Sequence, residues 1–360
     1  MARRIGLFGA GAVAFDLGMY LLAHSRDTHI GWAGSVEASA DRIARKVMRR
    51  LRLEGKDEAD RVFFMTSAQA ADRPLDDIVE CTHESLAAKR ALYALLEPRL
   101  TPRMPLLSAS SSIQPHEIGE LVVGLHPFVP LAFTRFAEII CPASAPREAI
   151  DAARAFAGRA GLSACRQNAA SAFAVNRLLL PLQAEAARAL RAGGDPRVID
   201  EMSKTPVTPF GQLGRIRSIG VGTVAAAVKR FRSRMPEHES REYEALSAML
   251  ADPGWVESFG KPAPRQAAFA ARAGGRQGLF DLLAANSALR ACENGWFTYA
   301  LLEKVLSDVY GARVSFVEYV NQFDPDEAIG RLCDARRRTG ASYFAPSAVW
   351  RRLPQPGDAP

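Results

Sequence analysis

Two ionisable residues interrupt the apolar stretch VVGLHPFVPLAFTRFAEII, residues 122–140. His126 closes the first run, between Leu125 and Pro127, and Glu138 stands alone inside the second. Histidine titrates near neutrality and so can take or give a proton, and a carboxylate beside it would make an acid/base pair. Taken alone, the stretch reads more readily as a satisfied buried histidine and a solvent-facing strand glutamate. Of the other histidines, His24 and His29 flank a helix-to-strand turn and read as solvated, while His83 precedes Glu84. No grouping of His, Cys or Asp has metal-ligand spacing.

A second pattern opens the chain. RRIGLFGAGAVAFDLGMYLLAHS reads as a strand ending at Phe8, a turn Gly9-x-Gly11-x-x-Ala14, and a helix with apolar Val13, Leu17, Tyr20 and Leu21 at helical spacing. Gly9 permits the tight turn, Gly11 leaves room for a pyrophosphate against the backbone, and Ala14 lets helix and strand pack closely. The helix N-terminus then offers N–H groups to phosphates. After the next strand, THIGWAG (28–34), an acidic residue would bind the adenosine ribose; here Ala33, Gly34 and Ser35 stand instead. Glu37 reads as solvent-facing, and no arginine follows to hold a 2′-phosphate, so these residues do not decide between NAD and NADP. The same opening resembles a secretory leader, but Asp16 breaks its apolar run and no clean cleavage site follows.

The elements needed to hold these residues alternate. RVFFMTSAQAA, LDDIVECTH and PLLSASSS read as strands running into turns, with the helices ASADRIARKVMRRLRLEG and ESLAAKRALYALLEPRL between them. This alternation persists to about residue 167 and predicts a parallel sheet covered by helices. From SAFAVNRLLLPLQ onward helical periods replace strands. The Pro- and Gly-rich stretch around 251–278 reads as a loop, and the tail QPGDAP as frayed.

In order along the chain stand the glycine turn, ECTHESLAAK, LLSASSS, VVGLHPFVP…FAEII and SAFAVNRLLLP. Over roughly residues 4–225 this set resembles the L-3-hydroxyacyl-CoA dehydrogenase family. That family carries a GxGxxG turn, VEN…K, SNTSS, GLHFFNP, a glutamate twelve residues after that histidine, and PGFVxNR. The resemblance implies an α/β fold: a Rossmann-type NAD-binding domain over 1–167, then an all-helical substrate and dimerisation domain over 168–360, with 235–360 a divergent extension. It implies His126 as general base or acid, Glu138 stabilising and orienting the imidazole, and Ser111 and Asn176 hydrogen-bonding the substrate oxygen. It puts Gly9, Gly11, Ala14, Glu84, Lys89 and Ser108 at the cofactor, with Glu84 near the nicotinamide ribose and Lys89 attracting acyl-CoA phosphates. Read by themselves, Ser111 is a polar strand exit, Asn176 a helix residue between domains, and Glu84 and Lys89 exposed helix charges.

The chain departs from the family at Ala109, at Val129, at Ser171–Ala172, and at 211–218, where GQLGRIRS replaces a GPFELLD-like stretch. The expected reaction interconverts an L-3-hydroxyacyl-CoA and a 3-ketoacyl-CoA with NAD. A dehydrogenase of a free 3-hydroxy acid and a non-catalytic nucleotide-binding relative stay open.

Bulk composition fits this frame. The 360 residues are 48% hydrophobic and 24% charged, with net charge +7. A basic chain suits an anionic partner. RRR at 336–338 is the only run of three arginines, and no basic block is interleaved with aromatics, so a small phosphorylated ligand is expected rather than nucleic acid. Five dispersed cysteines point to a reducing cytoplasm, no segment is long and apolar enough for a membrane span, and a homodimer is expected from the resemblance.

Overall fold

A computed structural model describes residues 2–56, 58–168, 172–235, 237–260 and 277–355. The chain divides into two compact units, Met1–Phe173 and Ala174–Pro360.

The first unit is built on one eight-stranded sheet. Its strands are β1 (Arg3–Phe8), β2 (Thr28–Gly34), β3 (Val62–Thr66), β4 (Asp77–Glu80), β5 (Leu106–Ser108), β6 (Val122–Pro127), β7 (Phe136–Cys141) and β8 (Ser163–Asn168). They lie in the order β3-β2-β1-β4-β5-β6-β7-β8. Alternate residues of each strand serve opposite faces. Val79, Leu107, Val123, Leu125, Ala137 and Ile139 join the core beneath α1 (Ala12–His24), α2 (Glu37–Leu53) and α7 (Arg147–Arg159). Ile78, Leu106 and Val122 join the other core, with Leu92, Tyr93 and Leu96 of α4 (Leu86–Leu96). Between them in sequence lie the short helices α3 (Ser67–Ala71), α5 (Pro115–Ile118) and α6 (Leu131–Thr134).

The sheet is not wholly parallel, as the β/α alternation had implied. β6 and β7 pair antiparallel, and β8 then runs parallel to β7. The connection 128–135 is short for a parallel crossover, which takes a dozen residues or more, so the chain turns back beside itself. That connection is pinned at both ends. Phe128 N–H donates to Phe136 O at 3.0 Å, and Leu131 N–H donates to Asp16 Oδ2 of α1 at 2.8 Å. The acid that breaks the apolar run of the first helix is therefore a partner for the loop after His126.

The second unit is helical, and no described residue after Asn168 is in a strand. Its first helices are α8 (Ala174–Arg177), α9 (Leu180–Arg191), α10 (Pro196–Met202), α11 (Gln212–Ile219), α12 (Val221–Arg232), α13 (Glu237–Glu242) and α14 (Glu244–Ala251). The described parts of the stretch expected to be a loop are helical: Pro253–Gly260 is 3₁₀-helical and Gln277 begins a helix to Glu293. The rest of that expectation, 261–276, and the tail 356–360 lie outside the described residues. Near the C-terminus, fully buried Trp350 donates Nε1–H to Asn286 Oδ1 at 3.0 Å, which ties the chain end to Gln277–Glu293. Among the described residues no helix is long and apolar enough to cross a membrane.

Candidate active site

The β6–β7 pairing places His126 directly opposite Glu138. Leu125, Ala137 and Ile139 face the α1/α7 core, so their alternate neighbours His126 and Glu138 share the opposite face. His126 Nδ1 and Glu138 Oε2 are 2.8 Å apart, and the two side chains are buried, Glu138 completely. A carboxylate at that nitrogen fixes the proton there, leaving Nε2 as the basic atom. Nε2 has no hydrogen-bond partner among the described residues. Two rings meet the imidazole edge-on, Phe128 with centroids 4.5 Å apart and Phe173 at 5.6 Å. Phe173 adopts a left-handed backbone (φ 59°). Neither aromatic was singled out in the sequence. The solvent-facing reading of Glu138 fails because the register turns it inward.

The serine run after β5 forms a second cluster. Glu84 Oε1 accepts from Ser110 Oγ (2.6 Å), Ser112 Oγ (2.7 Å), Ser112 N (2.8 Å) and Ser111 N (3.1 Å). Glu84 thus clamps the 110–112 turn by backbone and side chain alike. Burial alone would raise its carboxyl pKa, but the Lys89 charge and the serine hydrogen bonds outweigh burial and hold it below the usual value. Ser111, bound through its backbone, keeps a partly exposed hydroxyl with no partner among the described residues.

Lys89 and Ser108 gather around the carboxylate of Glu80. Lys89 is only 1% exposed, so it is neither a surface charge nor turned to solvent phosphates. Its ammonium donates to both oxygens of Glu80 at 2.8 and 2.9 Å, and Glu84 Oε2 lies 3.7 Å away. Ser108 Oγ donates to Glu80 Oε2 at 2.6 Å, and Thr82 N and Oγ1 complete the shell at 2.6 Å. The physical reason is Glu80 itself: a fully buried carboxylate needs a paired cation and hydrogen bonds. Glu80 is the last residue of β4, within the stretch LDDIVECTH. The i, i+9 spacing to a lysine on the following helix was the signal available for this pair.

The glycine turn leads from β1 into α1 at the crevice between β1 and β4, where the strand order reverses direction. Gly9 has φ 148°, and a Cβ there would lie 2.2 Å from Cys81 O, so only glycine fits. A Cβ at Gly11 would meet nothing within 4 Å, which leaves open space beside the backbone. No side chain caps the first turn of α1. Ala14 is fully buried, and its carbonyl accepts Trp32 Nε1–H at 2.9 Å. These features fit a dinucleotide pyrophosphate. At the end of β2 no carboxylate takes the ribose position; Val36 there is 59% exposed, and Glu37 is exposed on the first turn of α2.

Asn176 lies on α8 in the second unit, and its amide has no hydrogen-bond partner among the described residues. Ser171 lies outside the described residues. Among those described, no group of His, Cys, Asp and Glu could hold a metal ion.

The chain matches the family profile described as 3-hydroxyacyl-CoA dehydrogenase, NAD binding domain, over residues 6–168. The profile of that family's C-terminal domain matches residues 173–258. The chain belongs to the 3-hydroxyacyl-CoA dehydrogenase family. Its first unit is the NAD-binding domain of this oxidoreductase class. It is 25% identical over 268 residues to a probable 3-hydroxybutyryl-CoA dehydrogenase of Bacillus subtilis, covering 71% of this chain and 92% of the relative. The fold is shared with a 3-hydroxybutyryl-CoA dehydrogenase from Escherichia coli K12 (TM-score 0.71, 16% identity, 98% of each chain). It is also shared with an (S)-3-hydroxybutyryl-CoA dehydrogenase from Ralstonia eutropha (TM-score 0.54, 20% identity, 71% of this chain and 92% of that one). The likeness to the first covers nearly the whole chain, so the shared fold reaches past the profile match, which ends at residue 258.

Proposed function

We propose that this dehydrogenase interconverts an L-3-hydroxyacyl-CoA and a 3-ketoacyl-CoA, with His126 as general base and acid. The carrying observation is the buried His126–Glu138 pair at 2.8 Å with Nε2 left without a described partner. In the oxidative direction Nε2 takes the proton of the 3-hydroxyl. Glu138 stabilises the resulting imidazolium and holds the ring in place. Ser111 Oγ, set by the Glu84 clamp, donates a hydrogen bond to the substrate oxygen, and Asn176 serves the same oxygen as the resemblance implies. Gly9, Gly11 and the first-turn amides of α1 would hold the pyrophosphate of NAD, with Ala14 keeping helix and sheet close. Held there, the nicotinamide would supply the hydride acceptor for C3. The products are a 3-ketoacyl-CoA, NADH and the proton on His126, which is returned to solvent. In the reductive direction His126 donates that proton.

The same reading makes the enzyme a cytoplasmic homodimer acting on a CoA ester rather than nucleic acid or membrane. Five free cysteines, three of them buried, support a reducing compartment, and exclusion chromatography tests the dimer. The activity is tested by following NADH absorbance on mixing with acetoacetyl-CoA, beside NADPH as the alternative reductant. Consumption of NADH is expected. Flat traces with acetoacetyl-CoA and longer ketoacyl-CoAs, with either nucleotide, would contradict the proposal.

A further inference from the structure

The helical unit holds a pair of buried, unpartnered polar side chains that the proposed chemistry does not use. It lies on α11, where GQLGRIRS stands in place of the GPFELLD-like stretch. Gln212 and Arg215 there occupy the positions of a proline and a leucine. Being three residues apart, they are neighbours on one helix face. Gln212 is completely buried, yet neither its Oε1 nor its Nε2 has a hydrogen-bond partner. Arg215 Nε is likewise buried without a partner, and no described carboxylate pairs with its guanidinium. The nearby acid Asp200 is spent elsewhere, accepting Gly214 N–H at 2.7 Å. The backbone N–H of Gln212 donates to Ser203 Oγ at 2.9 Å, so the helix end is already capped and only side chains are left to bind.

The guanidinium is fixed rather than loose. It lies over the Phe210 ring at 4.4 Å and near Tyr310 at 5.6 Å, and those two rings meet edge-on at 5.7 Å. Tyr310 is itself tied down by its hydroxyl on Val175 O. Stacking occupies the faces of the guanidinium and leaves its N–H edge for a planar acceptor. Burying a cation and an amide N–H without partners is unfavourable, and an anion with two oxygens would accept from the guanidinium and from Gln212 Nε2–H. A single cation balances a single negative charge, which suits a carboxylate better than a phosphate dianion.

We propose that Gln212 and Arg215 form a binding site for a carboxylate group. Arg215 receives it through paired N–H···O bonds, and the Gln212 amide adds a third donor. Glutarate is the probe. Isothermal titration of the full chain should show saturable binding, weakened at least about tenfold in Arg215→Leu and less in Arg215→Lys. Circular dichroism verifies that each variant folds, and Gln212→Leu supplies an independent loss if Arg215→Leu does not. Absence of saturable glutarate binding, or equal binding by wild type and the variants, would overturn the site.

A second arm identifies the source of the carboxylate and rests on the proposed reductase activity. Reduction of 3-oxoadipyl-CoA is compared with that of 3-oxoheptanoyl-CoA, which ends in a methyl group. If the carboxylate belongs to the substrate, wild type favours the acid by about tenfold or more in kcat/KM and Arg215→Leu loses that ratio. If it belongs to a separate ligand, the ratio is the same in both proteins while glutarate binding still depends on Arg215. Should no ketoacyl-CoA be reduced, the activity reading fails, and Arg215-dependent glutarate binding still sustains the site.

Discussion

Glu138 and Glu80 are both fully buried carboxylates on strands of one sheet, and they are surrounded in different ways. Glu80 meets the Lys89 side-chain nitrogen and hydroxyls from Ser108 and Thr82. The lysine's ammonium is enclosed with it. Glu138 meets an imidazole, a group whose charge can change, and the imidazole's far nitrogen has no described partner. The first arrangement satisfies its groups and stiffens the strand ends. The second holds one atom ready for a proton. The contrast teaches that burial and charge alone do not separate the two carboxylates; what differs is the unpartnered imidazole nitrogen on which the proposed proton transfer rests.

The sharpest way to break this contrast is His126→Gln. Loss of a positioned base should lower kcat/KM by about 10²–10⁴-fold, with thermal melting close to wild type. Next is Lys89→Met, which strands Glu80 in the interior. Removing one partner of a buried pair costs about 3–5 kcal/mol, read as a lower urea midpoint. If Lys89→Met were as stable as wild type, the enclosed pair would not be the stiffening element described. Ser111→Ala should cost roughly tenfold in kcat/KM, the worth of about one hydrogen bond, with little change in urea midpoint because its hydroxyl serves no described protein group.

The smallest effect concerns Glu84, whose folded pKa lies below its ordinary value of 4.5. A depressed carboxyl contributes stability that is fully present above the unfolded pKa and lost as pH falls through the folded one. The stability gap between wild type and Glu84→Gln should therefore be full at neutral pH and narrow in acid below 4.5, as urea titrations at several pH values would show.

Much of this site was legible because its signals are local. The strand read at 28–34, the glycine turn and the alternation of β and α elements follow from short-range pattern, and so does the change to helices. His126 and Glu138 stood out because each breaks an apolar run. Their inward pairing was not legible from those runs, since it depends on β6 and β7 being antiparallel, which a short connection decides. Lys89 looked like a helix-surface charge because its partner sits on the preceding strand, where only the three-dimensional register brings it close. Asp16 read as a flaw in an apolar run because its acceptor role is to a backbone amide 115 residues away. Phe173 depends on a left-handed backbone that its residue type does not announce.

The central claim is that His126 moves the proton and the rest of the sheet holds it in place. Its most direct test is steady-state reduction of acetoacetyl-CoA by His126→Gln, with NADH affinity measured by fluorescence on the same preparation. The account predicts kcat/KM at least about a hundredfold below wild type and NADH affinity within about twofold. Turnover near the wild-type rate in a variant that binds NADH normally would contradict it.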